Sequence, residues 1–183
     1  MAKLESTMVP LGTPAPDFKL PGTDGKEYSL MSFGDKKVLV IIFMCNHCPY
    51  VQAVLRRLIN LQIQYAEKSV QLVGINVNDA VKYPDDSPEE MRNLAEKKNL
   101  PFPYLFDASQ ESAKAYDAVC TPDIYVYGLE RTLKYRGRID DNWQHPDEIT
   151  RHDLQDAIEA LLNDQPVNDE QMASIGCSIK WKE

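Results

Sequence analysis

The chain has 183 residues, of which 43% are hydrophobic and 26% charged, and its formal net charge is −8 at pH 7. This length and composition predict one globular domain with a full hydrophobic core. The acidic balance argues against nucleic acid and against anionic membranes as partners. The longest apolar run, at 38–44, is too short to span a bilayer, and residues 1–12 lack the apolar stretch of a signal peptide. We therefore expect a cytoplasmic protein.

The first half of the chain predicts a hairpin and two buried strands joined by a helix. Residues 1–14 form a lead-in, and 15–30 predict a hairpin with its turn at 23–25. The continuous apolar runs at 38–44 and 70–78 are typical of strands buried on both faces of a sheet. Between them, apolar side chains recur at the spacing of a helix face: Val51, Val54, Leu55, Leu58, Leu61 and Tyr65.

The second half of the chain predicts three helices, a strand and a hairpin. Helix starts are indicated by capping side chains that precede a helical pattern, at Ser87, Ser109 and Thr150. Strands are indicated at 102–106, 124–127 and 132–137. The alternation of strands and helices predicts an α/β fold with a mixed central sheet and helices on both faces, in a domain over 15–163. Residues 164–183 read as a polar C-terminal tail.

Cys45 and Cys48 form a C-x-x-C pair where the first buried strand leads into a helix. A helix N-terminus offers unpaired N–H groups and a partial positive charge, and both favour a thiolate. Thiol pKa values in such pairs fall to roughly 3.5–7.5, and the two sulfurs can close into a disulfide. A protonated His47 would add to this effect, and the pair Asn46 and His47 between the cysteines predicts a potential in the more oxidising half of the C-x-x-C range. The simpler alternatives are two cysteines packed in the core and an exposed His47.

Several segments of the chain together resemble one redox family. The segments are APDFKLPGTDGKEYSL at 15–30, VLVIIFMCNHCPYV at 38–51, LVGINVND at 72–79, VCTPDIYVY at 119–127, LKYRGRIDDN at 133–142 and GCSIKW at 176–181. They are similar to the thioredoxin-like redoxins of the alkyl hydroperoxide reductase/thiol-specific antioxidant family, in particular to a bacterial subgroup described as thioredoxin family proteins. The resemblance implies a thioredoxin fold and a thiol-disulfide oxidoreductase that needs no cofactor. Its partners would be a disulfide-containing or oxidised-thiol substrate and an external thiol reductant.

The same resemblance assigns a substrate-binding role to Thr121 and Pro122. In thioredoxin folds a cis-proline loop lies against the C-x-x-C pair, and the backbone beside this proline pairs with the extended chain of a substrate. We expect Cys45 to attack and Cys48 to resolve, since the first cysteine of such pairs is usually the exposed one. The alternative for Pro122 is a proline that only starts a strand.

Three departures from the family pattern bear on the mechanism. Only Met44 separates the aromatic end of the strand from Cys45, which leaves open that Cys48 occupies the helix-terminal position. The acidic residue that thioredoxins bury beneath the disulfide has no match within 38–44. Aligning Cys48 with the peroxide-reducing cysteine of peroxiredoxins leaves Ile41 and Cys45 in place of their proline and hydroxyl residues. An antioxidant thiol peroxidase is therefore the weaker alternative.

Cys120 and Cys177 leave further alternatives open. Either one is a third redox thiol or, with Cys45 and Cys48, a ligand of zinc or another soft metal. The simpler interpretation is a small buried residue for Cys120 and a packed tail thiol for Cys177. The acidic stretch at 78–90 is expected to be a solvated helix start.

Overall fold

The computed structural model describes residues 3–183. Its strands are β1 (Lys3–Glu5), β2 (Lys19–Pro21), β3 (Glu27–Ser29), β4 (Val38–Phe43), β5 (Val70–Asn76), β6 (Tyr104–Phe106), β7 (Cys120–Thr121), β8 (Asp123–Tyr127), β9 (Leu133–Arg136) and β10 (Ile175–Ser178). Its α-helices are α1 (Pro49–Tyr65), α2 (Pro88–Lys98), α3 (Glu111–Ala115) and α4 (Asp153–Leu162).

A five-stranded mixed sheet in the order β6-β5-β4-β8-β9 forms the centre of the fold. Strands β4, β5 and β6 are parallel, β8 is antiparallel to β4, and β9 is antiparallel to β8. Every residue of β4 is buried, which explains why its sequence, VLVIIF, is apolar throughout instead of alternating. Strand β4 lies in the middle of the sheet, and the C-x-x-C pair comes just after it in the chain.

Helices cover both faces of this sheet, as the sequence predicts. Helices α1, α2 and α4 pack on the face that carries Val40 and Ile42. Helix α3 and the β2–β3 hairpin pack on the face that carries Leu39 and Ile41. All six apolar positions predicted for the face of α1 are buried. Within residues 3–183, none of the helices has the length and apolar character that crossing a bilayer requires.

Two of the three predicted helix starts need correction. Ser87 is confirmed as the N-cap of α2, since its hydroxyl accepts the N–H of Glu90 at 3.3 Å. The N-cap of α3 is Gln110 instead of Ser109, because the carboxylate of Asp107 accepts the N–H groups of both residues and reorganises the turn.

Thr150 is not the N-cap of the last helix. Its hydroxyl donates to the carboxylate of Asp141, and the N-cap of α4 is His152. The apolar face of α4 nevertheless packs as expected, with Leu154 and Ile158 fully buried.

The C-terminal segment contributes more structure than a polar tail would. Strand β10 lies between β1 and β7 in a three-stranded antiparallel sheet. Cys177 of β10 is opposite Lys3 on one side and Thr121 on the other. Met1 and Ala2, the first residues of the expected lead-in, lie outside the described residues. Strands β1 and β10, from opposite halves of the chain, therefore pair with each other, and β10 lies next to the strand that contains Thr121.

Candidate active site

The two cysteines of the C-x-x-C pair occupy different structural positions. Strand β4 ends at Phe43, and Cys45 lies two residues further on, in the connecting loop. Cys48 is the N-cap of α1, with an extended backbone (φ −73°, ψ 121°) and a carbonyl that accepts the N–H of Gln52 at 3.0 Å. Pro49 occupies the first helical position. The N–H that proline lacks would have no partner within the helix at this position, so no hydrogen bond is lost. Cys48, and not Cys45, therefore lies at the N-terminus of α1.

Thr121 contacts both sulfur atoms. The peptide bond between Thr121 and Pro122 is cis, as the family resemblance implies. The Cys48 thiol donates to the Thr121 carbonyl at 3.1 Å, and Cys45 Sγ lies 3.4 Å from the Thr121 hydroxyl oxygen. Cys45 is 1% exposed and Cys48 is 0% exposed. A substrate can therefore reach Cys48 only when a neighbouring segment moves.

The surroundings favour the thiolate of Cys48 and the thiol of Cys45. A hydrogen bond with Cys45 has the largest effect and, with a smaller contribution from Cys177, lowers the pKa of Cys48 to about 5 against the opposing effect of burial. The Thr121 side chain also lowers the pKa of Cys48, whereas the bond that the thiol donates to the Thr121 carbonyl favours the protonated form. The hydrogen bond with Cys48, then burial and the charge of Asp86, raise the pKa of Cys45 well above its usual range. These shifts favour Cys48 over Cys45 as the thiolate near neutral pH.

Asp86 anchors the loop between the two cysteines. Its carboxylate accepts the N–H of Asn46 at 2.7 Å and the side-chain amide of Asn78 at 2.8 Å, and it forms an ion pair with Nδ1 of His47. The contact with Asp86 raises the pKa of His47, against the effect of burial. Burial alone would raise the pKa of Asp86, but its partners lower it. His47 also stacks on Tyr83, with ring centroids 5.5 Å apart. The direct partner of His47 is therefore Asp86, and its effect on the thiols stays a prediction.

Asp86 corrects the expectation of a solvated acidic stretch. It is 0% exposed, although it precedes the helix start at Ser87. Sequence reasoning misses this residue because it lies in a hydrophilic run without periodicity, where nothing distinguishes a buried acid from its exposed neighbours.

Among the described residues, ligand atoms of Cys45, His47 and Asp86 lie within 4.8 Å of one another. This group differs from the all-cysteine metal site considered from the sequence. The carboxylate of Asp86 is already engaged by the N–H of Asn46 and the amide of Asn78. We therefore interpret the group as a hydrogen-bonded network that holds the loop.

Cys177 joins the C-x-x-C pair, and Cys120 does not. Strand β10 places Cys177 opposite Thr121, and its side chain is buried in the same cluster as the pair. Burial and then a hydrogen bond with Cys48 raise the pKa of Cys177 to about 12. The Cys120 thiol instead donates to the Pro122 carbonyl at 3.8 Å, and burial raises its pKa above the usual range. The role of Cys120 as a further redox thiol or metal ligand therefore stays a prediction, and its hydrogen bond is with the backbone of the cis-proline.

A buried acid lies close to the site, on the opposite face of the sheet. Asp123 follows the cis-proline, is 0% exposed and pairs in register with Phe43 of β4. The hydroxyl of Tyr125 donates to its carboxylate at 3.0 Å. Burial raises the pKa of Asp123 to about 7. Strand β4 itself contains no acid, as the sequence shows, but its neighbour β8 supplies one.

We expect Asp123→Asn to stabilise the protein at neutral pH and to remove a pH dependence. Burial favours the protonated acid, so the folded protein keeps this proton between about pH 4 and about pH 7, where the unfolded chain releases it. The free energy of unfolding therefore falls as the pH rises through this window, by about 4 kcal/mol at most. Urea unfolding across the window measures the fall. The same fall in both proteins would contradict the raised pKa.

The sequence matches one family model and resembles proteins of known activity. The model described as the AhpC/TSA family matches residues 11–136. A thiol-disulfide oxidoreductase, ResA of Geobacillus thermodenitrificans (strain NG80-2), is 26% identical over 132 residues, which are 71% of this chain and 70% of that protein.

The fold is also similar to that of solved structures. The crystal structure of an uncharacterized conserved protein from Geobacillus kaustophilus is 46% identical, with a TM-score of 0.94, and covers 100% of this chain and 97% of its own. A thiol:disulfide interchange protein of the thioredoxin family from Chlorobium tepidum TLS is 20% identical, with a TM-score of 0.58 over 68% of this chain and 84% of that one. These similarities confirm the thioredoxin fold. Because the family model matches more than half of its length, the chain belongs to the AhpC/TSA family of thioredoxin-like redoxins.

Proposed function

We propose that the protein is a thiol-disulfide oxidoreductase in which Cys48 attacks and Cys45 resolves. The observation that carries this proposal is the position of Cys48 at the N-cap of a 17-residue helix. A thiolate there is stabilised by the helix N-terminus and by the neighbouring Cys45. This order is the reverse of the one expected from the sequence.

The reaction consists of two exchanges. The Cys48 thiolate attacks one sulfur of the substrate disulfide, whose S–S bond breaks, and the other half leaves as a thiolate that takes up a proton. Cys45 then loses its proton and attacks the Cys48 sulfur, which releases the second half of the substrate as a thiol. The two cysteines supply the two electrons and end as a disulfide, and an external thiol reductant restores them.

The substrate class is a disulfide-containing or oxidised-thiol compound. The curated relative named a thiol-disulfide oxidoreductase supports this class. No step above needs a cofactor, and the acidic net charge of −8 supports partners other than nucleic acid or membranes. We also propose a cytoplasmic location, where thiols are normally kept reduced and a C-x-x-C pair is typically redox-catalytic instead of a structural disulfide.

Equilibration with glutathione buffers of defined potential tests this function. We expect Cys45 and Cys48 to oxidise together and reversibly, as measured by alkylation and mass spectrometry. The lowered pKa of Cys48 stabilises the reduced form, so the midpoint should lie above the roughly −270 mV of thioredoxin. A midpoint at or below that value would contradict the effect of the thiolate. Thiols that never pair would contradict the function.

A thiol peroxidase is the second candidate, because a thiolate at Cys48 can also attack a hydroperoxide. In that reaction Cys48 takes one oxygen as a sulfenic acid and an alcohol or water leaves. A second thiol then condenses with the sulfenic acid to give a disulfide and water. Since Ile41 and Cys45 replace the peroxiredoxin proline and hydroxyl, we expect hydrogen peroxide to react more slowly than oxidised glutathione at equal concentration. Stopped-flow measurement of the two rates decides between the candidates, and a faster peroxide reaction would reverse their order.

A further inference from the structure

Strand β10 occupies the backbone edge beside the cis-proline. It pairs antiparallel with β7, with Cys177 opposite Thr121, and the pairing continues where the N–H of Ile179 donates to the Val119 carbonyl at 3.0 Å. In thioredoxin-like proteins, this edge pairs with the extended chain of a substrate. In this protein a strand of the same chain takes that place.

Gly176 allows β10 to lie this close to the cis-proline. A Cβ atom at this position would lie 2.0 Å from the Thr121 carbonyl oxygen and 3.1 Å from the Pro122 nitrogen. The first distance is far inside van der Waals contact, and its partner is backbone that has no side-chain freedom to move away. A residue without a side chain is therefore required at 176, and the next residue along the strand is Cys177.

Three cysteines gather around Thr121. Cys48 donates to its carbonyl at 3.1 Å, and Cys45 Sγ lies 3.4 Å from its hydroxyl. Cys177 lies directly across the antiparallel pair, where facing Cα atoms are about 4.5–5.5 Å apart. Cys177 belongs to the same buried cluster as Cys48, and its interaction with Cys48 is, after burial, a cause of its raised pKa. The sulfur of Cys48 thus has a second thiol neighbour besides Cys45.

We propose that Cys177 is a further catalytic thiol that, alongside Cys45, resolves the mixed disulfide on Cys48. This inference rests on the proposed function, in which Cys48 attacks. Cys177 gives its proton to the departing substrate thiolate and attacks the Cys48 sulfur. The bond between Cys48 and the substrate breaks, and a Cys48–Cys177 disulfide forms. The two electrons that reduce the substrate then come from Cys48 and Cys177, and an external thiol reduces the new disulfide.

The position of β10 also indicates with which substrates Cys177 can resolve the mixed disulfide on Cys48. A substrate bound as an extended chain along the edge would displace β10 and carry Cys177 away from Cys48. A small disulfide is too short to replace the strand along this edge. Oxidised glutathione is therefore the appropriate probe.

The test uses the reduced, full-length Cys45→Ser variant mixed with oxidised glutathione. The reaction is stopped by alkylation, and the disulfides are mapped by mass spectrometry. We expect a Cys48–Cys177 disulfide to accumulate. The double variant Cys45→Ser/Cys177→Ser should instead stop at the mixed disulfide of Cys48 with glutathione. The amount of this mixed disulfide should be roughly tenfold or more above the amount found in Cys45→Ser. The matched control, Cys45→Ser/Cys120→Ser, removes a buried thiol of the adjacent strand and should behave as Cys45→Ser does.

The outcomes separate this inference from the proposed function. If Cys45→Ser itself stops at the mixed disulfide and Cys177 remains open to alkylation, then Cys177 only packs against Cys48. The inference is then wrong, although Cys48 is still the attacking thiol. If glutathione adds to Cys48 in none of the proteins, the proposed function and the inference both fail. The protein with all four native cysteines should also yield the Cys48–Cys177 peptide, which keeps the test valid if a variant folds poorly.

Discussion

Replacing Cys48 with serine should lower the rate at which the protein reduces oxidised glutathione by roughly 10³-fold or more. A serine hydroxyl is not ionised near neutral pH, whereas the surroundings of Cys48 hold its pKa at about 5. Serine is also a favourable N-cap residue, so helix α1 should remain intact and the loss should report chemistry instead of unfolding. The measurement is the release of glutathione thiol in a single turnover.

Cys45→Ser is the informative comparison for this experiment. It removes the hydrogen bond that contributes most to the lowered pKa of Cys48, so the first attack should slow by no more than about tenfold. Cys120→Ser should react as the unmodified protein does. If Cys45→Ser lost the first attack while Cys48→Ser kept it, the order expected from the sequence would be right and the proposed order wrong.

Gly176→Ala should loosen β10 and expose the cysteine pair. The added Cβ would lie 2.0 Å from the Thr121 carbonyl oxygen, so the strand has to move away. Overpacking of this kind costs about 1–3 kcal/mol, and each 1.4 kcal/mol changes an opening equilibrium by about tenfold. We therefore expect Cys48 to react with iodoacetamide roughly tenfold faster or more, as followed by mass spectrometry.

Gly128→Ala is the matched control for this substitution. A Cβ atom there would lie 3.6 Å from the nearest atom, in the side chain of Lys134, which is an ordinary contact. This variant should keep the alkylation rate of the unmodified protein. If Gly176→Ala also kept that rate, β10 would not be the segment that shields Cys48.

The location of the dithiol could be predicted because its signals are local. The apolar run at 38–44 indicates a buried strand, and the helical spacing after Cys48 indicates a helix, so the pair has to lie at their junction. Pro49 additionally indicates that Cys48 is the N-cap, since proline favours the first helical position. The expectation that Cys45 attacks gave more weight to the family pattern than to this local rule.

The surroundings of the dithiol could not be predicted because they depend on long-range contacts. Asp86 accepts the N–H of Asn46, 40 residues earlier in the chain, and nothing in its hydrophilic neighbourhood marks it as buried. Strand β10 is four residues long and pairs with segments more than 50 residues away. A strand this short carries too little alternation to distinguish it from a polar tail. The role of Cys177 therefore becomes visible only in the folded protein.

The central claim is that Cys48 is held as a thiolate at the N-terminus of α1. The most direct test is a pH titration of the ultraviolet absorbance of the thiolate in the reduced protein, with Cys48→Ser as the reference. Absorbance does not require a reagent to reach the buried sulfur. We predict a titration with a midpoint near pH 5 that is absent from Cys48→Ser. A midpoint at about 8.5, the pKa of an ordinary thiol, would contradict the account. The same titration in Cys48→Ser would also contradict it.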